Sequence, residues 1–322
     1  MNESNEYDVV VVGGGAAGLS AALVLSRARR RVAVVDAGEP RNAPAAHLQG
    51  FLGSDGRPPS DLLEAGRAEV TGYGGRIVAG RVTGIVPSGM PSPTQGRRQQ
   101  FDVRLADGRT LRTRRVLVTT GLRDVLPDLP GVRERWGRDL LHCPYCHGWE
   151  VRDLPLGVLG GHSEALAHAQ LIREWSPDVV LFTDGVVLTA AQREQLVARA
   201  IGVVDGRVAR LVVDDDRLTG VELADGRVVR RAAVFVRPGF AANDDLLLRL
   251  GCATQQDGWV AVDATGRTSV PGVWAAGNAV NPRAQVVTAA GEGSAAAIAL
   301  NNDLVEEDVP AAVVSFRLGL PV

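Results

Sequence analysis

The 322-residue chain contains no lysine; all 35 of its basic side chains are arginine. That absence excludes a Schiff-base lysine and the lysine of a phosphate-binding loop. Cysteine is scarce, with three residues, too few for a disulfide framework at this length. Aromatic residues reach only 4%. No apolar run approaches the roughly 20 residues that cross a bilayer. The polar, acidic start from Met1 to Tyr7 lacks the character of a signal peptide. A formal net charge of −2 disfavours a nucleic-acid footprint or a polybasic membrane surface. A cytoplasmic protein without nucleic-acid or membrane partners is expected. What the chain does have is glycine, 38 residues, among abundant alanine and valine. That mix suits α/β units, and the length suits two domains.

Tyr7 to Val12 reads as a buried strand running into Gly13-Gly14-Gly15-Ala16-Ala17-Gly18. A helix follows from Leu19 to Ala28, then a strand from Arg31 to Val35 that closes on Asp36. Each part of this unit has a task in holding a dinucleotide. Gly13 permits the tight turn, Gly15 lets a pyrophosphate approach the backbone, and Gly18 lets the helix pack closely. The helix N-terminus offers N–H groups and positive dipole to phosphate, and Asp36 can accept from a ribose hydroxyl.

Further on, Arg76 to Val86 reads as strand, and Phe101 to Leu105 with Thr110 to Thr119 as a hairpin around Asp107-Gly108. Pro87 to Gln100 reads as a long exposed turn, and Pro127 to Gly131 as a domain boundary. A second strand–turn–helix unit is predicted from Leu156 to Leu159, Gly160-Gly161 and a helix from Ser163 to Trp175, with Val179 to Phe182 as its next strand. Leu211 to Val213 with Gly220 to Leu223 reads as another hairpin, and Ala232 to Val236 as a strand. A short strand ends in Gly277-Asn278, and an Ala-rich helix runs from Val287 to Leu304.

The richest stretch for chemistry is His142-Cys143-Pro144-Tyr145-Cys146-His147-Gly148-Trp149-Glu150. A CxxC on a turn or helix start brings two sulfurs close enough for a small-ring disulfide and favours a thiolate. Histidines on both sides can take the proton of an attacking thiol near neutral pH. A CxxC is also half a zinc site, and CxxCH is a haem-attachment pattern. No second CxxC completes a zinc site, and nothing else in the chain supports haem. Tyr145 and Trp149 read as apolar packing around the turn, and Cys252 as a small buried hydrophobe. His162 and His168, six apart and off one helical face, read as surface or interdomain residues, so no metal is expected. Asp214-Asp215-Asp216 reads as a solvated turn, and the arginines at 29–31 and 112–115 as exposed element ends.

Taken in order, the glycine turn, the CxxC within a second nucleotide-type unit, Gly239-Phe240-Ala241-Ala242-Asn243, and Gly272-Val273-Trp274-Ala275-Ala276-Gly277-Asn278 with Arg283-Ala284-Gln285 resemble the low-molecular-weight thioredoxin reductase family. The similarity covers nearly the whole chain. It implies an α/β fold of two Rossmann-like nucleotide-binding domains, with a discontinuous FAD-binding domain (residues 1–122 and 240–322) and an inserted NADPH-type domain (residues 123–239) carrying the redox pair. It further implies that Gly13, Gly15, Ala16, Ala17, Gly18, Asp36, Ala37 and Gly38 hold the FAD adenosine and pyrophosphate, with Val82 at the adenine. Thr120, Gly277, Asn278, Gln285 and Val286 are expected along the ribityl chain and flavin. The loop from Ala37 to Gly53, including Arg41, Asn42 and His47, is expected beside the isoalloxazine. A homodimer is implied by the same resemblance.

Three departures from that family bear on electron flow. The family's acid after the second Cys is replaced by His147. Its NADPH turn, roughly GxGxxA, here places Leu159 at the first glycine and Glu164 at the small residue, and a Glu opposes a pyrophosphate. Its basic cluster for the 2′-phosphate is replaced by Thr183-Asp184-Gly185. NADPH binding is therefore disfavoured. The chain is similar to the dithiol oxidases that install disulfides in natural products such as holomycin, gliotoxin and romidepsin. That similarity implies catalytic Cys143 and Cys146, with His147 and His142 taking thiol protons, a small-molecule or peptide dithiol as substrate, and O2 as acceptor. An NAD(P)H-dependent disulfide reductase and a non-turnover flavin redox sensor are the rival readings.

Overall fold

The computed structural model describes residues 5–88 and 100–318. Most of the expected turn at 87–100 lies outside the described residues. The chain forms two compact units: Met1–Ala43 with Pro59–Arg123 and Ala241–Val322, and Pro44–Pro58 with Asp124–Phe240. The segment Pro44–Pro58, placed by the sequence with the FAD-binding part, packs with the second unit. Its contacts there are specific: Gly137 lies against Pro44, and Gln49 donates to the Glu150 carboxylate at 2.9 Å.

The first unit begins with β1 (Glu6–Val12), α1 (Ala16–Arg27) and β2 (Val32–Asp36). Then come α2 (Pro59–Gly72), β3 (Arg76–Ala79), β4 (Val82–Pro87), β5 (Phe101–Leu105), β6 (Thr110–Val118) and β7 (Leu122–Val125). The sheet order is β3-β2-β1-β6-β5-β4. Val9 to Val12 are all buried, as a strand covered on both faces requires. β1 pairs in parallel with β2 on one side and with β6 on the other, which sends the glycine turn out from the carboxyl ends of three parallel strands.

The second unit contains α3 (Val132–Arg135), β8 (Leu140–Leu141), α4 (Pro144–His147), β9 (Leu156–Leu159), α5 (Ala165–Ile172), β10 (Val179–Phe182), α6 (Ala190–Ala198) and β11 (Ile201–Val204). It continues with β12 (Val208–Asp214), β13 (Arg217–Leu223), β14 (Val228–Arg230), β15 (Ala233–Phe235) and β16 (Gly239–Ala242). A parallel sheet, β11-β10-β9-β15-β8, stands beside the antiparallel β12-β13-β14, and β16 pairs with β7 where the chain crosses. α6 starts on a capping box: Thr189 accepts from the Gln192 N–H, and Gln192 accepts from the Thr189 N–H.

The chain then closes the first unit with α7 (Asp245–Arg249), β17 (Val273–Ala275) and α8 (Val286–Arg317). β6 is shared lengthwise. Its first half pairs antiparallel with β5, and its last residues, Val116–Val118, pair in parallel with β17. α8 extends well past the Leu304 end expected from the sequence and through Pro310, which forgoes a backbone bond. Arginines hold it there. Arg115 donates to Asp303 at 2.6 Å and to Glu307 at 2.8 Å, and Arg30 meets Asp308 at 2.8 Å. Arg114 and Arg115, expected on an exposed hairpin face, are instead nearly enclosed by these carboxylates. No described helix is long and apolar enough to cross a membrane.

Candidate active site

β8 ends at Leu141 and α4 begins at Pro144, so His142 and Cys143 occupy the turn between a buried strand end and a helix start. Cys143 is the extended N-cap residue, and Pro144 follows it at the first helical position, where a missing N–H costs nothing. The N–H groups of Cys146 and His147 both donate to the Cys143 carbonyl at 3.1 Å. This local winding brings Cys143 and Cys146 to a Cα separation of 5.2 Å, and the two are disulfide-bonded. Tyr145 and Trp149 are not the buried packing residues expected: they are 64% and 66% exposed. Tyr145 meets Trp175 edge-on at 5.4 Å, and Arg152 lies 4.0 Å over the Trp149 ring.

The two flanking histidines differ in surroundings. Burial pushes His147 below the usual imidazole range, with the Glu150 carboxylate pulling partly the other way. A neutral His147 is thus the form present near pH 7, ready to accept a proton. The His142 Nδ1 stands 3.3 Å from the Val236 carbonyl, and its ring is 5.4 Å from Phe240 and 6.5 Å from His168. His168, expected at the surface or between domains, is buried with its ring edge-on to Phe235 in its own unit. Burial above all, then the neighbouring His142 and His162, lowers its pKa to about 4. Among the described residues no group of three or more His, Cys, Asp or Glu is placed to hold a metal. Cys252 is buried, which raises its thiol pKa.

A cleft of about 140 Å³ opens beside the redox turn. His147, Glu150, Arg138 and Leu141 line it, together with Ala46, His47 and Gln49 from the segment that joined the second unit. His47, expected beside the flavin, sits on this wall. Glu150, Gln49 and Arg138 had escaped notice in the sequence. Glu150 was in view two residues beyond Gly148, but nothing local announces that Gln49 reaches it.

At the carboxyl end of β1 the residues fit FAD. Gly13 has φ +112°, and a Cβ there would sit 2.5 Å from the Thr119 carbonyl. At Gly15 a Cβ would meet nothing within 4 Å, which leaves a cradle in front of the twelve-residue α1. Asp36 ends β2 beside the turn. It accepts from the Gly38 N–H at 3.1 Å and pairs with Arg67 at 3.3 Å, an arginine with no sequence signature. Two carboxylate oxygens offer more lone pairs than these donors use, so a ribose hydroxyl can still be accepted. Ala37 continues from Asp36, and Val82 opens β4 against the apolar core.

The late segment converges on the same end. Gly277 lies against Ala17, and Ala17, Ala284 and Ala289 form one small apolar contact. Gln285 is the N-cap of α8 and Val286 its first residue. Asn278 donates to the Asn281 and Ala284 carbonyls and accepts from Arg41 at 3.4 Å. Asn42 follows in the same turn, and Thr120 is tied to Asn243 by a hydrogen bond to its carbonyl at 2.5 Å. Glu292, unnoticed in the sequence, accepts from the Gly277 N–H at 2.9 Å and from Asn281 at 2.6 Å.

The corresponding end of β9 carries two carboxylates. Glu164 pairs with Arg237 at 3.0 Å. The Asp184 carboxylate accepts from the Val208 N–H at 2.9 Å. α5 starts only at Ala165 and spans eight residues.

A Rossmann-type end that fits FAD, paired with a CxxC redox turn in a second α/β unit, defines a flavin-dependent disulfide oxidoreductase. The chain belongs to the pyridine nucleotide-disulphide oxidoreductase family, which it matches over residues 7–293. Members are FAD flavoproteins, and so is this protein. It is similar to the thioredoxin reductase sirT of Leptosphaeria maculans, 30% identical over 95% of this chain and 96% of that one. The thioredoxin reductase tcpT of Claviceps purpurea is also 30% identical, over 86% and 88% of the two chains. Among solved structures, HlmI is 58% identical with a TM-score of 0.93, covering 99% of both chains. An oxidoreductase from Agrobacterium tumefaciens is 34% identical with a TM-score of 0.84, covering 93% and 99%.

Proposed function

We propose that the protein oxidises a small-molecule or peptide dithiol to a disulfide through Cys143 and Cys146, with O2 as final acceptor, as a homodimer. The observation that carries this direction is the acidic turn after β9: Glu164 at the start of α5 and Asp184 after β10 put negative charge where a bound dinucleotide phosphate calls for small or basic residues. In this reading a substrate thiolate attacks the Cys143 sulfur, forming a mixed disulfide and releasing Cys146 as thiolate. The second substrate thiolate then attacks its own partner sulfur, closing the substrate disulfide and expelling Cys143 as thiolate. His147 accepts the proton of the attacking thiol, and His142 stands on the other side of the pair for the second. Gly13 to Gly18, Asp36 and the Gly277–Val286 segment would hold FAD, which when bound supplies a two-electron acceptor for the reduced pair, regenerated by O2 as H2O2. The names of the fungal relatives keep a second reading in view, a nicotinamide-driven thioredoxin reductase.

Anaerobic rapid mixing separates the two. Dithiothreitol bleaches the flavin absorbance, NADPH and NADH do not, and air restores the colour with one H2O2 per flavin. Rapid bleaching by NADPH would instead establish the reductase. Failure of any thiol to bleach it would favour a redox sensor.

A further inference from the structure

The cleft beside the redox turn lies wholly within the second unit. At about 140 Å³ it is small even for a small-molecule site, and it has no capacity for a folded protein's surface. Leu141 and Val151 give it an apolar wall. Its charges are unequally matched. Arg138 is met by Asp216 at 2.6 Å. Glu150 is met by the Gln49 amide, a dipole and not a countercharge. His147 is held toward its neutral form by burial, and His47 is the remaining titratable group on the wall. The unbalanced charge on this surface is therefore the Glu150 carboxylate, three residues beyond His147 and close enough to raise its pKa.

We propose that this cleft holds the dithiol and that Glu150 is a specificity-determining residue, selecting compact dithiols that lack a carboxylate. The proposal rests on the dithiol-oxidation reading and adds the substrate class. A carboxylate entering the cleft comes within a few ångströms of the exposed Glu150 carboxylate, where like charges repel even through solvent. An uncharged molecule with hydrogen-bonding groups meets the Glu150 and Gln49 oxygens and the Arg138 donors without that penalty.

Dihydrolipoamide and dihydrolipoate test this, because they share a carbon skeleton and dithiol and differ as amide against carboxylate. With the flavin-loaded enzyme, kcat/KM is expected to favour dihydrolipoamide by about tenfold. In Glu150→Gln the preference should fall to within about twofold, mainly through a lower KM for dihydrolipoate. Ala46→Trp, at an exposed position on the wall, should raise KM for both substrates while flavin content and bleaching by dithionite stay unchanged. A wild-type ratio near one, or a ratio unmoved by Glu150→Gln, overturns the role of Glu150. An unmoved KM in Ala46→Trp overturns the cleft. If dithionite bleaches the wild-type flavin and neither dithiol does, the dithiol reading itself fails and takes the cleft with it.

Discussion

At the end of β1 the turn is empty in front of Gly15, and the carboxylate of Asp36 stands beside it, held by Gly38 and Arg67. At the end of β9 the same strand–turn–helix pattern carries two carboxylates, Glu164 paired with Arg237 and Asp184 accepting from the Val208 N–H. Both turns follow buried parallel strands, and both pairs of strands are in parallel register over four residues. The backbone pattern alone therefore does not make a nucleotide site. What separates the two ends is the residue at the helix start, Gly15 at the N-cap of α1 and the Glu164 carboxylate at the N-cap of α5, where its negative charge opposes a phosphate.

The strongest way to sharpen the contrast is to remove the one reactive group the second unit keeps. Cys146→Ser should lower dithiol-driven flavin bleaching by at least about 10³-fold, since the pair acts as a unit; stopped-flow absorbance reads it. Unchanged bleaching would mean electrons bypass the CxxC. Next, bulk placed in the two turns should act unequally. Gly15→Val should purify with its flavin content reduced at least about tenfold, whereas Ser163→Val, at an exposed position of the second turn, should keep its flavin and its dithiol turnover. Equal flavin loss in both would break the comparison.

A third prediction concerns stability. His168 titrates at about 4 in the fold and near 6.5 when unfolded. As pH falls between those values the unfolded chain takes a proton that the fold refuses, so stability declines across that window and no further below it. The loss should reach about 3 kcal/mol. Urea unfolding of wild type and His168→Phe at pH 7 and pH 4.5 checks this: the variant should lose less. The smallest effect is on the pH profile of dithiol oxidation. Because His147 is lowered by burial, the rate should rise with pH through an inflection below 6.5 and then level as far as this group governs it. Glu150→Gln removes the group that props that pKa up, so the inflection should move to lower pH by less than about one unit. An inflection that stays put would show that His147 is not the group titrating.

The nucleotide end of the first unit was legible because it is local: β1, the glycine turn and Asp36 fall within one short stretch, with the alternation and glycine spacing that such a turn demands. β10 was placed residue for residue, since a run of four buried apolar residues, Val-Val-Leu-Phe, leaves little choice. The redox turn was legible for the same reason. α8 was read too short, because Pro310 ends helices in isolation and the arginines that carry it onward come from β6 and the turn after α1. The exposure of Tyr145 and Trp149, the burial of His168 and the migration of Pro44–Pro58 to the second unit were equally out of reach, because each depends on partners distant in sequence.

By itself, then, the sequence determined the chemistry on offer: a dinucleotide turn, a CxxC with histidines on both sides, and a second turn carrying acids in place of small and basic residues. Those are properties of neighbouring residues and of backbone geometry. Only the tertiary structure decided what each charge is used for. Glu164 pairs with Arg237 at a helix start, Asp36 is held by Gly38 and Arg67 beside an open glycine turn, and Glu150 stands on a cleft wall with an amide for company. The physical reason is that an ionic group's effect depends on what stands within a few ångströms of it, and those neighbours are assembled by folding.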